Sequence, residues 1–406
     1  MQTLRRKQFF EHIINKMKKL ISVLIITMLV LTTNQRSFAQ ETERDWSTIT
    51  TAVPFLMIGP DARAGGMGDV GGATAPDGNS IYWNASKLAF VEKSIGFDVS
   101  YVPWLSGLVD DIGLGYVSGY GKIGDKQTVA ASLRYFSLGN ITFTDEEGIP
   151  QGNYKPNEFA IDLAYSRKLS EKFSAAVVGK FIYSNLTLGQ NVGGVESRAG
   201  TSVAADVSMY YKNPIHFSRG RKGEWSIGVS INNIGNKISY TSSTEKDFIP
   251  TNLRVGGNLS MDIDDYSHIS VSFDVSKLLV PTPPVVYKET DDIPEGSEVG
   301  DPIPPYKDND VSVMKGMIQS FYDAPFKEEL QEIIYSAGVE YWYDKQFALR
   351  GGYFHEHPQK GNRQYFTLGA GLRYNVFGLD FSYLIATNPQ NPLKNTLRFT
   401  LSYEIE

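Results

Sequence analysis

Chemistry in a chain of 406 residues with no cysteine must come from its five histidines, its carboxylates, its hydroxyls or its backbone. Thiol nucleophiles, thiolate zinc sites and disulfides are excluded together. His12, His216, His268, His355 and His357 are scattered, and none stands beside a recognisable nucleophile motif. His355-Glu356-His357 offers ligand types that suit zinc. On an extended segment, however, the two imidazoles face one way and the carboxylate the other, and Pro358 follows at once. Gly66-Met67-Gly68-Asp69-Val70-Gly71 fits the G-x-G-x-x-G pattern, whose use in dinucleotide binding needs a helix N-terminus directly afterwards. Gly72, Pro76 and Gly78 follow instead, so the segment reads as a compact Gly-rich turn. The expectation is a protein without catalytic residues, cofactor or metal. A formal net charge of -6 gives no general attraction for nucleic acid.

Binding chemistry has a better candidate, the stretch 277–334. Seven prolines between Pro281 and Pro305 oppose regular structure, and Lys288 to Asp310 carries eight acids against two lysines. Pro325 then opens a short amphipathic helix in which Phe326, Leu330, Ile333 and Ile334 share one face. A loop of this length is uncommon without a function, and an apolar helix face within it must pack over the rest of the protein or dock to a partner. Phe321, Tyr322, Phe326 and Leu330 are the expected partner-binding anchors.

The elements that position this loop are legible from alternation. From Ser94 to the C-terminus, apolar side chains recur at every second position in fourteen segments, as in Ile269-Ser270-Val271-Ser272-Phe273. Tyrosines such as Tyr101, Tyr120, Tyr165, Tyr211, Tyr343 and Tyr374 end the apolar rows, where a ring with a polar tip would settle at a lipid headgroup boundary. The opposite faces are Ser, Thr, Gly and Asn, which cannot form a soluble core. Open edges in lipid would leave backbone groups unpaired, so the expected fold is all-β, a closed fourteen-stranded antiparallel barrel of the outer membrane. Gaps between strands alternate short and long, as periplasmic turns and extracellular loops do. That places both termini in the periplasm; Tyr210 to Glu224 is the one even-numbered gap of moderate length.

Residues 1–39 read as a secretory signal: Lys16, Lys18 and Lys19, the apolar run Leu20 to Leu31, then Ser37-Phe38-Ala39. The residues before Met17 add nothing to it, which makes Met17 a candidate true start. Residues 40–93 are long enough to fold inside the barrel as an N-terminal hatch, and 94–406 form the barrel.

Phe55-Leu56-Met57-Ile58-Gly59-Pro60-Asp61-Ala62-Arg63-Ala64-Gly65-Gly66-Met67-Gly68, followed by Asp77-Gly78-Asn79-Ser80-Ile81-Tyr82-Trp83-Asn84, resembles the N-terminal signature of the PorV/PorQ family. These are outer-membrane barrels of the FadL-like superfamily that serve the type IX secretion system of Bacteroidota. Ala85 stands where related barrels often carry Pro, and the chain ends on Glu406 where an aromatic residue is usual. The resemblance makes Asp61, Arg63, Gly66, Gly68, Asn79, Tyr82, Trp83 and Asn84 the structural motif of the hatch. It implies a non-enzymatic role: partnering the SprA translocon, binding the C-terminal signal domain of cargo, and carrying it to attachment-complex proteins such as PorU, all amid outer-membrane lipid and lipopolysaccharide. The superfamily also keeps open a FadL-type transporter of hydrophobic small molecules. An outer-membrane lipid-modifying enzyme, such as a lipid A deacylase, is barely allowed by the histidines.

Overall fold

The computed structural model describes residues 47–406 except 106–108, 110, 145–147, 190, 193–194, 218–219, 242–245, 288–293, 295–296, 389–390 and 392. The signal segment, Met17 and the first residues of the expected hatch lie outside the described residues, as do Arg219 and part of the acidic stretch.

Fourteen strands close a ring: β1 (Ile95–Pro103), β2 (Gly113–Ile123), β3 (Gln127–Ser137), β6 (Asn157–Lys168), β7 (Phe173–Asn185), β10 (Gly200–His216), β11 (Lys222–Gly235), β12 (Asn252–Asp262), β13 (Ser267–Leu278), β14 (Ile334–Tyr343), β15 (Phe347–His355), β16 (Gln364–Tyr374), β17 (Phe377–Ala386) and β18 (Leu397–Ile405). Each pairs antiparallel with its neighbour, and β1 closes on β18 through Phe97 opposite Tyr403 and Val99 opposite Leu401. Two small hairpins, β4 (Ile141–Thr144) with β5 (Pro150–Tyr154) and β8 (Asn191–Val192) with β9 (Val195–Glu196), stand in the long loops, where the alternation gave no sign of them. All fourteen alternating segments are ring strands.

The moderate gap at Tyr210 to Glu224 disappears. β10 and β11 continue pairing as far as His216 opposite Lys222, beyond which Phe217 N donates to Arg221 O (2.9 Å). One rim thus carries short turns throughout, including Asp344-Lys345, whose positive φ values of 52° and 54° are those of a two-residue hairpin turn.

The polarity of the ring is inverted relative to a water-soluble barrel. Ile95, Phe97, Val99, Leu163, Val177, Val271, Phe273 and Leu368 are exposed outward, while Asp98, Ser100, Asp162, Ser208, Ser272, Asp274 and Glu340 are buried inward. Val271 is 52% exposed and Ser272 2%. We expect Val271→Arg to cost about 2–4 kcal/mol near the bilayer midplane. Ser272→Arg, by contrast, must find room in a filled interior and is not the tolerated control that alternation alone suggests. Ser260→Arg, half-buried beside the open mouth at the short-turn rim, is the proper control. Urea unfolding of the heat-modifiable band should separate Val271→Arg from Ser260→Arg, and equal losses would sink the outward assignment of Val271.

The ring encloses the preceding chain. Residues 52–91 are nearly all buried, and they bond to inward side chains on every side: Thr400 of β18, Thr367 of β16, Glu340 of β14, Asp274 of β13, Ser208 of β10 and Ser166 of β6. Apolar packing holds the two halves of this segment. Phe55, Leu56 and Ile58 cluster with Val102, Leu114, Phe136 and Ile182 towards the long loops. Ile81, Leu88 and Val91 cluster with Tyr116, Tyr120, Ala164 and Val178 towards the short turns. At the upper end Ala52 N donates to Phe248 O (2.9 Å), and Ser47 O accepts from Lys360 Nζ (2.7 Å). Ser47 therefore sits at the rim of long loops and Glu406 at the rim of short turns. The expectation of both ends at one rim holds for the barrel's own ends, Ile95 and Ile405, and not for the described N-terminal end. The reason is that residues 47–91 cross the interior once before β1 begins.

Candidate functional site

The interior segment is fastened through charge. Asp61 caps the helical turn Ala62–Gly65 by accepting from Ala64 N (2.8 Å), and its other oxygen accepts from Trp83 Nε1 (2.6 Å). Both partners lie within the segment, so Asp61 organises the segment itself. Arg63 is the residue that reaches a strand: Nε and Nη2 donate to the two oxygens of Glu340 (3.0 and 2.8 Å), and Nη1 donates to Asp77 (2.8 Å) and Ala75 O (3.0 Å). A bidentate guanidinium–carboxylate pair fixes direction as well as distance. Glu340 also accepts from Arg350 Nε (2.7 Å), and Arg350 Nη1 donates to Asp380 (2.7 Å).

The glycines act by letting backbone approach backbone. Gly68 has φ +72° and lies where a Cβ would stand 2.7 Å from the Tyr353 backbone, and a Cβ on Gly66 would meet Gly369 Cα at 3.0 Å. Past them, Gly71 N and Gly72 N donate to one oxygen of Asp274 (2.9 and 2.8 Å). The apparent dinucleotide fingerprint is thus a tight turn whose amides face a strand carboxylate. Asn84 ties the far side by donating to Gly72 O (2.9 Å) and Met209 O (3.1 Å), while Asn79 Oδ1 accepts from Ser118 at 3.5 Å. Tyr82 OH donates to Leu56 O (3.3 Å) beneath the Arg134 guanidinium, and Trp83 lies under Arg254 at 4.9 Å. All eight motif residues are gathered in one interior network. Sequence reading missed Asp69, which pairs with Arg398 and accepts from Tyr365 OH (2.5 Å), and it missed Glu340, Asp274 and Arg398. For Glu340, Asp274 and Arg398 the signal was a lone charge at an inward strand position between apolar neighbours, as in Val339-Glu340-Tyr341, whereas Asp69 stands in a turn and carried none.

At the long-loop rim, Glu356 of the His-Glu-His triplet is taken by Arg363 Nε and Nη2 (both 2.8 Å). Among the described residues, no three His, Cys, Asp or Glu groups stand together in a metal-holding arrangement.

Among its described residues the stretch 277–334 contains two short helices, Val313–Gln319 and Phe326–Gln331. The second is held down by acids within and just after it: Lys277 Nζ donates to Glu329 (3.0 Å) and Glu332 (2.5 Å), and Lys360 Nζ donates to Glu328 (2.6 Å) and Glu332 (2.9 Å). Thr282 and Tyr306 add hydroxyl donors to Glu332 and Glu328. Phe326 faces out at 78% exposure, together with Leu330, Phe321 and Tyr322. Ile334 does not share that face, because the helix ends at Gln331 and Ile334 opens β14 with its side chain buried. Of the four expected anchors, Phe321, Phe326 and Leu330 line a groove of about 270 Å³ against Leu253, Val255 and Val275 of the outer wall. Tyr322 lies instead under Lys307 Nζ, 3.8 Å from its ring centroid.

Asp323 lies at the base of this helix, where burial first and then the neighbouring Glu329 push its carboxyl up to about 7. A raised folded-state value means the folded loop holds a proton that the released loop gives up, so the ordered loop is favoured as pH falls through about 7. The chain has no cysteine, so Leu330→Cys gives a unique spin-label site. The label should become less mobile from pH 8 to pH 6, and Asp323→Asn should abolish the change. A mobility independent of pH in both proteins would remove Asp323 from this role.

Comparison with known proteins adds the family. The family described as Type IX secretion system protein PorV matches residues 40–285, more than half of the chain. The chain belongs to this family. With its closed ring of lipid-compatible strands, it is a type IX secretion protein of the outer membrane. No curated protein matches the chain. Among solved structures it is similar to the Ralstonia pickettii toluene transporter TbuX (10% identity, TM-score 0.42, covering 86% of this chain and 98% of that one). It is also similar to a Pseudomonas aeruginosa FadL homologue (12%, 0.41, 89% and 100%) and to the Pseudomonas putida toluene transporter TodX (10%, 0.45, 86% and 99%).

Proposed function

We propose that this barrel is the carrier of the type IX system: it associates with the SprA translocon, binds the C-terminal signal domain of cargo, and passes it to the surface attachment complex that contains PorU. Its role is recognition and transfer without catalysis, and the rim of long loops faces the cell exterior. The observation that carries the proposal is the rim helix Phe326–Gln331: Glu328 and Glu329 within it and Glu332 just after it are buried and hold it down, while Phe326 and Leu330 stay exposed. A helix clamped by charge with its apolar side outward offers anchors of defined shape, which a wall of lipid-facing aliphatic side chains does not. The acidic stretch Asp291 to Asp310 acts as a steering element, strongest at low salt.

The double variant Phe326→Ser, Leu330→Ser tests the assignment, because neither side chain supports the barrel. Removing two anchors should weaken copurification with SprA by about thirtyfold or more and hold cargo in the periplasm, while heat-modifiability is unchanged. Wild-type copurification and normal surface delivery would move the contact elsewhere on the barrel. Tight binding of long-chain fatty acid by the purified protein, with no associated high-mass barrel, would favour the FadL-type transporter instead.

A further inference from the structure

The outward face of β2 differs from every other described strand face. Its outward positions, opposite Tyr101, Phe97 and Ile95 of β1, are Gly113, Gly115, Val117, Gly119 and Gly121, followed by Ile123 at the turn. Four of the six lack a side chain, whereas each of the other strands carries at most one glycine among its outward positions. At three of the four the fold does not demand this. A Cβ on Gly121 would meet nothing within 4 Å, and the nearest atoms to one on Gly119 and Gly115 lie at 3.4 and 4.0 Å, whereas on Gly113 it would meet the Tyr101 hydroxyl at 2.9 Å. Side chains would therefore fit at Gly115, Gly119 and Gly121. Over Gly119 and Gly121 there is instead a trough of about 750 Å³, open to the bilayer and flanked by Phe97, Val129, Leu133, Ile161 and Leu163. The rows of β1 and β3 stand about 10 Å apart across it, twice the strand spacing.

We propose that the trough is a seat for one glycerophospholipid of the leaflet at the short-turn rim, with an acyl chain lying along the glycine row and the phosphate at its lower end. The trough is continuous with the lipid-facing belt, so hydrocarbon is what it meets first, and glycine there forgoes burial that a side chain would have gained. The lower end supplies the charge. Lys126 lies in the turn between β2 and β3, and Arg167 is outward on β6 opposite Gln127 of β3; both are exposed. Asp125 shares that turn and lies beside Lys126. A guanidinium paired with an ammonium at the headgroup level suits a phosphodiester.

The full mature chain is reconstituted in phosphatidylethanolamine nanodiscs doped with phosphatidylglycerol that carries a nitroxide on one acyl chain. The wild type should show an immobilised lipid component beyond the ordinary annulus. Gly119→Leu, Gly121→Leu fills the trough and should lower occupancy of that component about tenfold, the factor for losing contact with roughly two methylene groups. Gly257→Leu, an outward glycine of β12 with open space around it, should change nothing. Arg167→Gln should weaken retention of the phospholipid and leave a spin-labelled diacylglycerol unaffected. If the double leucine variant fails to give a heat-modifiable band, Ala131→Phe closes the same trough from β3. An immobilised component that survives filling of the trough, or one lost equally in Gly257→Leu, overturns the proposal. So does a wild-type dimer that the filled variant loses, which would make the occupant a second copy.

Discussion

Glu340→Ala should destabilise the folded barrel by about 3–5 kcal/mol, the range for breaking one side of a buried ion pair. Glu340 is buried on β14 and receives three donors, two from Arg63 and one from Arg350. Its removal leaves Arg63 with Asp77 and Ala75 O alone, and Arg350 with Asp380, so two guanidinium groups lose partners where the interior segment excludes water. Glu340→Gln keeps the shape and one acceptor, and should cost less. Arg63→Met with Glu340→Ala should recover part of the loss, because the double change removes the uncompensated charge along with its partner. Denaturant unfolding in micelles, followed by heat-modifiability, measures all three. A midpoint for Glu340→Ala equal to wild type would mean that the segment is held by its apolar clusters and that the network is incidental.

The strands were legible and their partners across the lumen were not, for one reason. Alternation with period two reports which face of Val339-Glu340-Tyr341 meets lipid, and that is a local property. That Glu340 meets Arg63, 277 positions away, depends on where a non-repetitive segment crosses the interior, which no periodicity encodes. The same limit applies to Asp274 beneath Gly71 and to Asp69 beside Arg398.

The rim helix teaches a sharper lesson. Periodicity gives Phe326 and Leu330 a shared face but leaves open whether that face packs over the barrel or meets a partner. Charge settles it: Lys277, at an outward position of β13 opposite Leu253, and Lys360 of the loop after β15 hold Glu328, Glu329 and Glu332. The helix face is legible in the sequence, and the side it presents is set by two lysines outside the helix. Similarly, Lys212 to His216 looked like loop because alternation weakens there, yet β10 and β11 go on pairing. Once a hairpin rises out of hydrocarbon, its side chains need no longer alternate while its backbone still gains from the ladder.

Removing Ser47 to Ala89 should convert a closed barrel into a conducting one. This segment supplies nearly all of the interior that is not strand: the Arg63–Glu340 pair, the Asp69–Arg398 pair, the amides on Asp274, and the apolar clusters around Phe55 and Leu88. Without it, Glu340, Arg398, Asp274 and Arg134 line an empty ring, where water can solvate each of them. The barrel should still close, because backbone pairing and lipid-facing burial involve none of the deleted residues. In planar bilayers the deletion variant should therefore show stepwise single-channel conductance that the wild type lacks. A single change asks the same question without deletion. Gly68→Val puts a Cβ about 2.7 Å from the Tyr353 backbone at φ +72°, so the turn must leave its place, and brief openings should appear. If both variants stay as silent as the wild type, the inward side chains of the strands close the lumen by themselves, and the segment's interior bonds serve to shape the rim above them.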